Sequence, residues 1–248
     1  GWGRFASYRR SESAMYSGAI HRRGVIQALG AITATGAVMP IRARAEADVP
    51  RPIVNNLVKV ARQHWNGRDC LSVELTDEEQ RGRLAKTRTS NGPSYAIVHR
   101  SFSAGVIESD VGAELNGKGA ADARGFVGFA FHVSEDLQTY EAVYLRMTNG
   151  RRNDPAPPPP RIDRAIQYVA HPDFHFAVSR ANFPGRYEKG ADIGAGLWHR
   201  LRLEVRGTQV RAMVDGVVAL TVDDLHYADR GGPVGLFTAL CAAKHGLE

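Results

Sequence analysis

The chain has 248 residues, 43% of them apolar and 8% aromatic, with two cysteines and a formal net charge of +6. That apolar content is too high for a disordered chain, and two cysteines, Cys70 and Cys241, build no disulfide framework. Residues 1–47 hold seven Arg and two Glu, whereas residues 48–248 hold 25 basic and 24 acidic residues, a surplus of only +1, so a nucleic-acid-binding domain is not indicated.

Met15 is a sensible start, and the residues before it are left out of the functional argument. Arg22 and Arg23 precede an uncharged run, residues 25–41, and RARAEA follows with small residues at Ala43, Ala45 and Ala47. This is the three-part layout of an export signal. The run is diluted by Gly, Ala and Thr and falls short of the ~20 strongly apolar residues of a spanning helix, so no stable membrane span is expected. The paired arginines resemble a twin-arginine signal, which predicts a periplasmic or secreted protein exported already folded. Residues 1–47 are thus read as upstream residues plus leader, and 48–248 as one domain.

After Pro50 and Pro52 a short helix is expected near Ile53 to Gln63. Short β-like runs then follow one another, mostly bounded by Gly, Pro, Asn or Asp: CLSVEL (70–75), SYAIVHR (94–100), GVIESDV (105–111), GFVGFAFHV (125–133), EAVYLRM (141–147), AIQYVA (165–170), WHRLRLEVRG (198–207), TQVRAMVDG (208–216), VVALTV (217–222) and GPVGLFT (232–238). Many short strands with turn signals predict an all-β fold. In WHRLRLEVRG, Leu201, Leu203 and Val205 alternate with Arg200, Arg202, Glu204 and Arg206, one face core and one wet. Arg206-Gly207 and Asp215-Gly216 predict two hairpins.

This succession, with Trp198 leading the alternating strand, the Asp215-Gly216 hairpin and Gly235-Leu236-Phe237 near the end, resembles the concanavalin A-like lectin/glucanase superfamily. Secreted bacterial laminin-G-like and 3-keto-disaccharide hydrolase-like domains are the nearest pattern. The resemblance implies a jelly-roll β-sandwich of two antiparallel sheets, a fold that hosts lectins, adhesion modules and glycosidases alike. ALCAAKHGLE after GLFT departs from that pattern, because it lacks the aromatic closing strand, and a missing C-terminal strand is expected.

Glu108, Asp110 and Glu114 share one parity. Glu108 and Glu114 would stand about 20 Å apart on a regular strand, against ~5–5.5 Å for a retaining carboxylate pair. Glu108 and Asp110, ~7 Å apart, fit an inverting arrangement and are the catalytic candidates, although a solvated sheet face explains the same residues. In TYEAVYLRMTNG, Tyr140, Ala142, Tyr144 and Arg146 share a face and lead into a polar loop at Asn149. A saccharide needs a ring to stack on and fixed polar groups for its hydroxyls. Tyr144, Arg146, Asn149 and Gln167 supply that chemistry and are the predicted ligand-binding residues. In HPDFH, Pro172 and the phenylalanines suggest a turn into a strand, so His171, Asp173 and His175 are not expected to bind metal. No cofactor is expected beyond a structural calcium ion at Asp223, Asp224 and Asp229. The function expected is that of an exported saccharide-binding, lectin-like domain, with a glycoside hydrolase-like enzyme and an adhesion or structural module as alternatives.

Overall fold

A computed structural model describes residues 51–88, 92–119, 123–239 and 241–247. The expected leader lies outside the described residues. In chain order the strands of the first half are β1 (Val54–Asn56), β2 (Val58–Trp65), β3 (Arg68–Leu75), β4 (Tyr95–Phe102), β5 (Gly105–Glu114), β6 (Phe126–Phe131) and β7 (Tyr140–Arg146). Those of the second half are β8 (Ile166–His171), β9 (Glu188–Lys189), β10 (His199–Arg206), β11 (Gln209–Val214), β12 (Val217–Val222), β13 (Gly232–Ala239) and β14 (Ala242–Gly246). Two short helices, α1 (Asp77–Leu84) and α2 (Phe176–Asn182), interrupt them.

The strands form two seven-stranded sheets, and every pairing is antiparallel. Sheet A runs β1-β4-β13-β6-β7-β8-β9 and sheet B runs β12-β11-β10-β5-β14-β3-β2. This is the expected jelly-roll sandwich. No helix among the described residues is long and apolar enough to cross a membrane.

The alternation read in β10 decides which face turns inward: Leu201, Leu203 and Val205 are fully buried. Burial of each contributes about 1.5–3 kcal/mol. They meet Phe129, Phe131, Val143, Leu145 and Tyr168 of sheet A in one core between the sheets. Sheet A carries a second apolar cluster on its other face, built on Tyr95, Tyr140, Tyr144, Val169 and Phe237. All seven residues of β7 are therefore buried, from both sides. At the predicted second hairpin Asp215 and Gly216 both have positive φ (50° and 82°), the two-residue turn that matches strand twist.

Two expectations are corrected. The segment expected as a helix near Ile53 to Gln63 forms β1 and β2, joined by Leu57 at φ 58° where the chain passes from sheet A to sheet B. Val58 and Val60 are β-branched and face Leu75 and Val73 across the ladder, which a strand accommodates better than a helix. The closing strand is also present: Ala242–Gly246 forms β14, between β3 and β5 in the middle of sheet B. Its Lys244 is 1% exposed, with Nζ donating to Gln63 Oε1 (2.7 Å) and Ser72 Oγ (3.0 Å), so a charged residue occupies a buried strand position.

Candidate functional site

The second cluster floors a cleft of about 600 Å³ on the outer face of sheet A. One row of residues across five strands sets its chemistry: Phe237 on β13 faces Gly128 on β6, Gly128 faces Tyr144 on β7, Tyr144 faces Gln167 on β8, and Gln167 faces Glu188 on β9. Gly128 lets the aromatic rings on either side meet. A Cβ there would lie 2.3 Å from Val143 O and 2.6 Å from Tyr144 Cα. In its absence Tyr144 and Phe237 stack with centroids 5.1 Å apart and planes inclined by 26°.

Arg146 lies one row along, opposite Phe126. Its guanidinium carbon sits 5.3 Å from the centre of the Tyr144 ring, 5.7 Å from Phe126 and 5.9 Å from Phe176 of α2. Its nitrogens donate to Gln167 Oε1 (3.1 Å), Tyr144 Oη (3.3 Å), Arg164 O (3.3 Å) and Glu188 Oε2 (3.5 Å). Glu188, 5% exposed, also holds Arg180 through both oxygens (2.6 and 2.7 Å) and Arg164 at 3.2 Å. Asn149 donates to Arg164 O (3.0 Å) and accepts from Arg161 Nε (3.3 Å). Burial pushes the Tyr144 hydroxyl above its ordinary pKa, so it stays protonated.

The sequence-predicted binding residues are thus brought together, in different roles. Tyr144, Arg146 and Asn149 line the cleft, whereas Gln167 lies behind Arg146 and spends its amide on Tyr168 O (2.8 Å) and Tyr187 O (3.1 Å). All four are buried, and their polar atoms are committed to one another, to neighbouring backbone carbonyls and to the side chains of Glu188 and Arg161. They form the floor that fixes the site.

The walls come from segments that the sequence reading left unassigned. Thr76 accepts from Glu79 N and starts α1, which carries Arg83 toward the cleft, with Lys86 and Arg88 in the turn beyond. Arg83 is held by Glu79 (2.7 Å), and Arg88 by Glu79 (2.7 Å) and Glu78. The Thr76-x-x-Glu79 spacing is a capping-box signal that could have placed this helix. Helix α2, where a strand was expected, spaces Phe176 and Arg180 by one turn along the opposite wall. Arg124, Arg161 and Arg164 complete the rim, and no carboxylate lines the cleft among the described residues. His171 Nδ1 and His175 Nε2 hydrogen-bond to each other at 2.9 Å. Burial lowers the pKa of both rings, that of His175 to about 4, so the pair is neutral at pH 7.

Glu108 and Asp110 are elsewhere. Ile107 and Val111 point into the inter-sheet core, so Glu108 and Asp110 project from the outer face of sheet B, with both sheets between them and the cleft. They form an ion-pair ladder: Glu108 with Arg200 (2.7 Å) and Arg202 (2.6 Å), Asp110 with Arg200 (3.3 Å) and Arg68. Hydrogen bonds from Arg200 and Arg202 hold the Glu108 carboxyl below its ordinary range, the opposite of what a general acid needs. Glu141, on the inner face of β7, is fully buried against His132 Nδ1 (2.6 Å), Tyr168 Oη (2.5 Å) and the His226 amide (2.7 Å). At the expected calcium position, Asp223 accepts from Gln209, and Asp224 from Arg186 and Tyr187. No group of three potential metal ligands occurs among the described residues. A second hollow, of about 670 Å³, is lined by mixed charges and by no aromatic side chain.

No protein-family model matches the sequence, and no curated protein does. Solved structures with a similar chain path include the carbohydrate binding module CBM66 from Bacillus subtilis, at 12% identity and a TM-score of 0.47 over 77% of this chain and 93% of that one. The galectin LEC-6 of Caenorhabditis elegans matches at 9% identity and a TM-score of 0.36, over 62% of this chain and 89% of its own. The alginate lyase AlgAT5 of polysaccharide lyase family 7 matches at 11% identity and a TM-score of 0.34, over 77% and 76%.

Proposed function

We propose that this is an exported saccharide-binding β-sandwich of the concanavalin A-like kind, and that the ligand lies in the cleft on the outer face of sheet A. The observation that carries the reading is the combination of aromatic walls with prefixed polar groups in a single cleft. Phe126 and Phe176 are partly exposed at its walls, while Tyr144 and Phe237 form its floor beside Asn149 and several guanidiniums. Aromatic faces take the apolar face of a pyranose, and fixed donors take its oxygens. The reading is of binding rather than hydrolysis, because the described lining residues include no carboxylate and the nearby Glu188 is held by three arginines.

The test is a panel of neutral and acidic oligosaccharides, read by calorimetry with the parent protein and with Phe176→Ala. Removing that ring should weaken binding by about 1–3 kcal/mol with the fold intact, as judged by circular dichroism. Failure of every glycan to bind would refute the reading. Release of products from the panel would move it to the enzyme.

A further inference from the structure

The cleft is rich in donors and poor in acceptors. Setting Arg124 aside, seven cationic side chains line it, and among the described residues the carboxylates ion-paired to them are Glu78, Glu79 and Glu188, which leaves a surplus of four positive charges over those residues. Residues 48–248 together carry a surplus of only +1, so the remainder of the domain is net acidic and the positive charge is concentrated here. Lys86 and Arg161 line the cleft with no ion-pair partner among the described residues.

Arginine and lysine only donate hydrogen bonds. The hydroxyls of a neutral sugar also need acceptors, and the side-chain acceptors among the described lining residues are Asn149, already used by Arg161, two tyrosine hydroxyls and the neutral His175. A ligand that brings its own acceptors fits better. Like charges crowded in a cleft with low-dielectric aromatic walls also repel one another, and an anion relieves that repulsion. Arg161 is oriented at the rim, with Nε on Asn149 Oδ1 and a terminal nitrogen on Thr148 O (3.2 Å).

We propose that the ligand of this cleft is an anionic saccharide, its carboxylate or sulfate groups held by Arg161, Lys86 and Arg164 while its ring faces lie on Phe126 and Phe176. The proposal rests on the reading that the cleft takes a saccharide, and adds the chemical class.

The experiment titrates the full chain with an oligogalacturonate, with its carboxyl-reduced neutral counterpart, with a sulfated oligosaccharide and with single-stranded DNA of matched charge, at 50 and 500 mM NaCl. The uronate or the sulfated sugar should bind, the neutral counterpart at least about tenfold more weakly. High salt should weaken the anionic complex by roughly tenfold. Arg161→Gln and Lys86→Gln should each lower its affinity by about tenfold, while Glu108→Gln, on the far sheet, should leave it unchanged. Equal binding of the neutral and acidic sugars would overturn the anionic proposal and keep the saccharide reading. Binding of no sugar would overturn both, and DNA binding as tight as the uronate would replace the saccharide with a bare polyanion.

Discussion

Glu188 is the carboxylate on which the cleft floor depends, and Glu188→Gln isolates its charge. The substitution preserves shape and leaves one acceptor oxygen, but withdraws the negative charge from Arg146, Arg164 and Arg180. Breaking a buried ion pair by neutralising one partner costs about 3–5 kcal/mol. Arg146 and Glu188 are each 5% exposed and belong to that regime, whereas Arg164 and Arg180, at 34% and 26%, recover part of their hydration. A destabilisation of about 3 kcal/mol is therefore expected, which for a domain of this size lowers the melting temperature by roughly 6–12 °C. The same change raises the positive surplus of the cleft by one, so affinity for an acidic sugar should hold or rise while stability falls. Differential scanning calorimetry and titration on one preparation measure both. A melting temperature within about 2 °C of the parent would refute the idea that this carboxylate clamps the floor.

Gly128→Ala should cost about 3 kcal/mol or more in urea denaturation, because the added methyl meets backbone atoms of β7 at 2.3 and 2.6 Å; a near-neutral result would mean that β6 and β7 can part without loss. Glu108→Gln should change stability by only about 0–1 kcal/mol, as for other exposed ion pairs, and a larger loss would show that the sheet B ladder does more than cover a wet face. His245 is buried, and that burial lowers its pKa to about 3. The unfolded chain takes up that proton near pH 6.5 and the folded one does not, so stability is full above 6.5 and declines below it by up to about 1.4 kcal/mol per pH unit. His175, lowered to about 4, acts in the same direction. His245→Leu should flatten the decline between pH 7 and 4.5, and an unchanged slope would remove His245 as its source.

Much of the sandwich was legible, because alternation and turn chemistry are local. Leu201, Leu203 and Val205, the Asp215-Gly216 turn, and the shared face of Tyr140, Ala142, Tyr144 and Arg146 are as read, whereas the first hairpin turns one residue later than expected, at Gly207-Thr208, because Arg206 still pairs with Gln209. Strand β14 was not, since Ala-Ala-Lys-His offers no β-branched or aromatic residue and its place is fixed by partners on both sides. Val54, Val58 and Ala61 stand at helical spacing while Val58 and Val60 alternate as in a strand, and pairing with β3 decided for the strand. The site was half visible. Part of its floor, Tyr144 and Arg146, lies in one strand and can be read as a pattern, but its basic walls come from Arg83, Lys86, Arg88, Arg124, Arg161, Arg164 and Arg180, scattered over about a hundred residues and hidden in a balanced total charge.

The position of β14 also orders events in time. Every other strand of sheet B precedes it in the chain, yet β3 and β5 each need it as a neighbour, through five and four paired residues respectively. As the chain leaves the ribosome, β2-β3 and β5-β10-β11-β12 can form only as two separate ribbons, each with an open edge facing the other. The sheet is united when residues 242–246 slide between them, so its closure is a late, non-local step, and until then the two open edges are where a chaperone or a second chain would bind.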